Sequence, residues 1–230
     1  MAGSLSDGIA RDPATDLPPR SGVSGVRRNT VADTWDWMWK DTAGRVLPFA
    51  AASALYARLS RRGPAAVGLT PDRWVRDVLW GNVIGIPATA LAIAFRRQVA
   101  PMYRLPTPAD QTLQTAFYLA LNAPVEEVFW RGTVQNLAID GLKRVPRLRR
   151  AAVPLGWAAT TAAFGAYHRL GKWSWRSIGG VTLAGGLFGA AYLLSPRRSL
   201  LPAIIIHGYM TAGFLSWGDA TLHWLRRRQA

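Results

Sequence analysis

The chain has 230 residues, no cysteine, half of its residues hydrophobic and a formal charge of +15. The length suits one domain, and the lack of cysteine excludes disulfides and thiolate metal sites within this chain. Among the Lys and Arg residues only Arg131 lies inside an apolar run, the others falling in the tails or at and between the ends of the runs. That segregation fits the loops of a membrane protein; a nucleic-acid binder would spread its cations over an ordinary amphipathic fold.

In chain order, residues 1–34 carry Ser, Gly, Asp, Pro and Arg without an apolar core. They read as a disordered tail with no cleavable signal peptide. Trp35, Trp37 and Trp39 alternate with Asp36 and Met38, the pattern of an interfacial helix ahead of a first span. Crossing the hydrocarbon takes roughly 20 apolar residues as a helix. Apolar stretches at 46–59, 78–95, 113–139, 151–167, 178–194 and 200–217 approach that length, the third interrupted at Pro124. The prediction is an all-α fold, a polytopic transmembrane helical bundle of about six spans over residues 35–225, followed by a basic tail at 226–230.

Trp74, Trp80, Trp173, Trp175, Trp217 and Trp224 sit near the ends of these stretches, as an interfacial belt does. Six spans would collect 15 cations on one side and 12 on the other, too even a split to fix orientation by charge. An even number of spans puts both termini on one side, and the arginines at 226–228 favour the cytoplasm. Gly185 and Gly189, four apart, read as a close helix contact without chemistry.

The chain's only two glutamates are neighbours, Glu126 and Glu127, inside the third stretch. A carboxylate in the bilayer interior costs several kcal/mol, so such a residue faces a cavity or a partner. Glu127 and Arg131 are four apart, acid first, and can meet on one helix face, where an Arg fork can hold a carboxylate bidentately. Glu126 points about 100° away and has no local cation, which leaves it free to take and return a proton. Of the three histidines, His168 ends the fourth stretch, His207 lies in the sixth, and His223 sits in the polar C-terminal region with an interfacial reading. Polar groups in lipid seek one another. Three stretches thus each contribute to one site, unless the acids merely cross-link helices.

The motifs Glu126-Glu127-x-x-x-Arg131, Phe164-x-x-x-His168 and His207, with the run from 178 to 207 between them, resemble the CPBP group of intramembrane proteases, also called the CAAX-protease and bacteriocin-processing family. The resemblance covers roughly residues 65–215. It implies that Glu126 with His168 activates a water for attack on a peptide carbonyl, and that His207 and Thr211 stabilise the oxyanion. Thr211 stands where the family usually has Asn or Asp, and offers a single hydroxyl donor in place of an amide. Glu127, Arg131 and Phe164 would support the catalytic groups, Phe164 by packing on His168.

The resemblance favours a metal-free glutamic mechanism with no cofactor. A zinc held by Glu126, His168 and His207 remains chemically reasonable, although no His-Glu-x-x-His pattern is present. The expected partners are membrane lipids and a membrane-anchored peptide or protein substrate, with no nucleic acid. The high ratio of Arg to Lys suits a GC-rich bacterial genome and hence the bacterial inner membrane, multi-pass. Two other classes compete with the endopeptidase: a non-proteolytic immunity or regulatory partner of the same fold, and a transporter. A transporter would also want intramembrane acids, yet no inverted repeat is visible.

Overall fold

The structure, a computed structural model, describes residues 27–28, 30–60, 63–70, 73–99, 104–105, 107–218, 220–221 and 224. Most of the expected tail, the basic stretch 226–230 and His223 lie outside the described residues. The described residues are helical apart from turns and a two-residue parallel pairing of β1 (Arg27–Arg28) with β2 (Arg104–Leu105).

Helix α1 (Val31–Asp41) opens on a capping box. Asp33 N donates to Thr30 Oγ1 at 3.1 Å, and Thr30 N donates back to the Asp33 carboxylate at 3.0 Å, which satisfies two end donors at once. The helix therefore begins inside the stretch expected to be tail. It passes without a break through a π-helical turn (Thr42–Val46) into α2 (Leu47–Leu59). The interfacial helix and the first span expected from sequence are one rod. Trp35 and Trp39 face outward, while Trp37 packs on Phe117 and Tyr118 with ring centroids 5.5 and 6.0 Å away.

The third apolar stretch is also longer than its hydropathy suggests. Helices α4 (Pro108–Phe117), α5 (Ala123–Glu127) and α6 (Asn136–Lys143) run end to end, joined by π-helical segments Tyr118–Asn122 and Val128–Gln135. Pro124 does not interrupt this rod. It sits in the first turn of α5, directly after a π segment, where a widened register accommodates the ring and the missing N–H. The remaining helices, α3 (Trp74–Val99), α7 (Ala152–Tyr167), α8 (Trp175–Leu194) and α9 (Leu201–Ala212, extended by a π turn Gly213–Trp217), lie close to the predicted stretches.

Among the described residues, two helical segments are long and apolar enough to cross a membrane, Trp74–Arg96 in α3 and Trp175–Leu194 in α8. A core helix of a soluble protein would pass the same test, but it would be covered. Only 22% and 39% of their apolar windows are buried, and Leu79, Val83, Ile86, Leu91 and Leu183 are all exposed. A continuous apolar surface of this kind belongs in hydrocarbon.

Helix α9 is central. It packs most extensively on α3, and also on α8 and α5. The close approach to α3 depends on Gly81 and Gly85, where an added Cβ would stand 2.9 Å from Ile205 and 3.0 Å from Tyr209. Between the π segment ahead of α6 and helices α7, α8 and α9 the core is aromatic and aliphatic, with Trp130, Phe164, Phe188, Tyr192, Leu200 and Ile206 buried together. One polar residue ties this core to the connectors. Asn136 Nδ2 donates to Ala66 O at 3.1 Å and to Tyr192 Oη at 2.8 Å, and its Oδ1 accepts from Arg198 at 3.1 Å. The α9 framework thereby fixes the α4–α6 rod that carries both glutamates.

Candidate active site

Both glutamates are buried, 3% and 0% exposed, and each has its own cation. Arg131 Nη1 donates to Glu127 Oε1 at 3.1 Å, one turn on, as the spacing predicted. The contact is single, not bidentate: the other terminal nitrogen of Arg131 donates to the Gly185 carbonyl at 2.9 Å. The guanidinium also lies over the Phe164 ring, 4.3 Å from its centroid. Gly185 admits this arrangement, since a Cβ there would meet the Phe164 ring and Arg131. Glu127 Oε2 is buried and has no hydrogen-bond partner among the described residues.

Glu126 departs from the sequence reading. It was expected to lack a cation, because none lies within a helical turn of it. Arg45, counted from sequence among the tail cations, reaches it from the π turn after α1 and forms an ion pair with Oε1. Arg45 is itself clamped, its Nε and Nη2 donating to the two Asp41 carboxylate oxygens at 2.8 and 2.6 Å. Asn122 Nδ2 donates to the same Glu126 oxygen at 3.4 Å.

His207 bridges the acids from α9. Its Nδ1 is 2.7 Å from Glu127 Oε1, and its Nε2 is 3.8 Å from Glu126 Oε2. The ring stacks on Phe188 at 4.5 Å with a 13° tilt. Since a carboxylate only accepts, Nδ1 carries the hydrogen, and Nε2 faces Glu126. His168, half-buried at the end of α7, has Nδ1 2.8 Å from the Phe164 carbonyl. That carbonyl likewise requires Nδ1–H, which leaves Nε2 as the acceptor in the neutral ring. Phe164 holds His168 twice over, through this carbonyl and through its ring at 4.9 Å. His168 makes no hydrogen bond to Glu126 among the described residues, but lies within electrostatic reach of Arg45, His207 and Arg131.

Thr211 lies half-buried on α9, one turn beyond His207, and its hydroxyl makes no hydrogen bond among the described residues. For a metal, the donor geometry does not fit: among the described residues no group of three His, Asp or Glu side chains converges as a ligand set. The Nδ1 contacts of His207 and His168 would also suit metal-bound imidazoles; it is the lack of a converging third ligand among the described residues that keeps zinc out of the steps below.

Four separate helical rods thus contribute to the candidate site, and the sequence motifs named three of them; from outside its own rod Glu126 is reached by Arg45 and His207. A signal for the fourth was present. Asp41 and Arg45 repeat the acid-then-Arg spacing of Glu127 and Arg131 at the edge of an apolar run.

Residues 108–213 match the family model described as type II CAAX prenyl endopeptidase, Rce1-like. The chain carries an Rce1-like domain. The match encloses Glu126, Glu127, Arg131, Phe164, His168, His207 and Thr211, and leaves Asp41 and Arg45 outside. It is narrower than the stretch of resemblance read from the motifs, which began near residue 65. No curated protein and no solved structure is detectably similar to the chain. Rce1-like proteins are membrane-embedded endopeptidases, and the apolar exposed helices of this chain agree with that setting.

Proposed function

We propose that the protein is a multi-pass endopeptidase of a bacterial inner membrane that hydrolyses a peptide bond near the membrane-embedded or C-terminal end of a membrane-anchored peptide or protein. The observation that carries this reading is the pair of contacts of His207, with Nδ1 on Glu127 and Nε2 turned to Glu126. A gap of 3.8 Å is too long for a hydrogen bond, but a water set beside it can touch both groups. Glu126 Oε2 takes a proton from that water, and the resulting hydroxide attacks the peptide carbonyl carbon. His168 Nε2 accepts a hydrogen bond from the same water and orients it. His207 enters the step already doubly protonated, its charge offset by Glu127, so that Nε2–H donates first to the water oxygen and then, beside the Thr211 hydroxyl, to the tetrahedral oxyanion. Glu126 then returns its proton to the leaving nitrogen as the C–N bond breaks. No metal is needed in this sequence.

An apolar groove of about 520 Å³ runs beside the site, lined by Ala50, Ser53, Ala57, Val67, Val125 and Val128 among others. Val125 and Val128 flank the two glutamates in sequence, so an apolar substrate segment in this groove would lie on the rod that carries the base. Lipid surrounds the bundle, and the cations at its ends meet anionic headgroups. Nucleic acid has no place in this reading.

The test compares membrane-proteome C-termini in cells holding the wild type or Glu126→Gln, with the purified protein assayed after removal of metals. Termini should appear only with the wild type, and chelated enzyme should keep its activity. Cleavage that survives Glu126→Gln would overturn the role of that residue, and zinc-dependent rescue after chelation would overturn the metal-free route. A non-proteolytic partner of the same fold is a second reading, favoured by Thr211 standing without a hydrogen bond. Complementation by the inactive variant would support it.

A further inference from the structure

Among the described residues, three polar side chains face Glu126: Asn122 from its own rod, His207 from α9 and Arg45 from the π turn after α1. Only Arg45 brings a permanent charge. Two of its nitrogens are fixed on Asp41, at 2.8 and 2.6 Å. A planar guanidinium clamped on two nitrogens has little rotational freedom, so its remaining edge has one direction to point. That edge, Nη1, makes its nearest contact with Glu126 Oε1. Arg45 also lies within electrostatic reach of both His168 and His207. The backbone that carries it is a π-helical turn, a local form frequent at functional sites. Neither Asp41 nor Arg45 falls in the segment that matches the family, so the match does not account for them.

Resting on the reading of Glu126 as the base, we propose that Arg45, clamped by Asp41, is a positioning residue for the reaction. It takes up Oε1 of Glu126 together with Asn122, and so leaves Oε2, the oxygen turned to His207, as the one that handles the proton of the water. Donors on Oε1 compete for its lone pairs and direct the incoming proton to the other oxygen. The first rod is then part of the catalytic arrangement, supplied from outside the family segment. A mere tie between the first rod and α5 would need the ion pair but would be indifferent to which oxygen it holds.

The test uses the full-length protein in proteoliposomes with an internally quenched peptide that ends in an apolar segment. Arg45→Ala leaves two buried carboxylates without a cation and can fail to fold, so the informative variants are Asp41→Asn, which loosens the clamp, and Arg45→Lys, which keeps the charge but not the fork. Each should lower kcat about 10²-fold, the effect of a misplacement near 1 Å, with KM and the melting temperature close to wild type. A second readout needs no turnover. The carboxylate infrared bands that vanish in Glu126→Gln identify Glu126, and they should shift in Asp41→Asn and in Arg45→Lys. Wild-type kcat and unshifted bands in both variants, with Glu126→Gln inactive, would sink the proposal. If Glu126→Gln itself still cleaves, the reading of Glu126 as base fails instead, and the infrared bands still report whether Arg45 sets that carboxylate.

Discussion

Glu126 and Glu127 are neighbours in sequence and opposites in circumstance. Glu127 is fully buried between Arg131 and His207, and Arg131 has no other acid among the described residues. Glu126 shares Arg45 with Asp41. The two Gln variants should therefore differ in stability. Removing one partner of a buried ion pair costs about 3–5 kcal/mol when the other charge is stranded, so Glu127→Gln should lower the unfolding midpoint in detergent. Glu126→Gln leaves Arg45 paired with Asp41 and should lower it much less. Equal losses in the two variants would contradict this division. The Glu127–Arg131 pair was legible in the sequence because both ends lie within one helical turn. The Arg45–Glu126 pair joins residues 81 apart in the sequence, and no spacing rule chooses a partner across helices. A local count of charges therefore placed Arg45 in the tail.

At the scale of elements, the apolar runs located α3, α7, α8 and α9 closely, because each is an apolar stretch bounded by Gly, Pro or charge. The first and third rods were misjudged for one reason. Polar residues toward their ends, Thr34, Asp41 and Asp110 among them, are buried, so hydropathy scores the ends of the rod as loop while the backbone runs on. Three rods that meet at the site each contain π-helical turns near the residues they contribute, as inserted turns at functional positions do. The α4–α6 rod is held by a close backbone approach at Gly132, where a Cβ would overlap the Val67 carbonyl. Gly132→Ala should destabilise the protein by about 1–3 kcal/mol, the usual cost of overpacking, and reduce cleavage by displacing the rod. Gly141→Ala, on the same rod with open space around it, should be neutral or add up to ~1 kcal/mol from helix propensity. Chemical unfolding in micelles separates the two, and similar losses in both would mean that the Val67 contact does not limit the rod.

For the whole molecule, the connectors gather at two ends. At one end Thr34 hydrogen-bonds Asp110, β1 pairs with β2, Trp217 Nε1 donates to Thr115 Oγ1 at 3.0 Å, and Trp173 stacks on Phe214 at 6.1 Å. At the other, Leu200 N donates to Gly68 O at 3.0 Å and Asn136 draws in both Ala66 and Arg198. The connectors after the first, third and fifth predicted spans thus share one end, and those after the second and fourth share the other with the first helix. That alternation is compatible with an up-and-down bundle of six spans, while among the described residues two segments are apolar enough to stand alone as spans. Glu126 falls near the middle of the rod from 108 to 143, about 25 Å from either end at the rise of a helix. The lack of cysteine makes the arrangement directly testable, because single cysteines can be placed in an unmodified background. Ala109→Cys and Lys172→Cys should react with a membrane-impermeant maleimide from one face only. Leu69→Cys, Arg147→Cys and Arg197→Cys should react only from the opposite face. All five positions are exposed, so a failure to label reports the bilayer and not burial in the protein. A labelling pattern that mixes the two groups would overturn the six-span expectation.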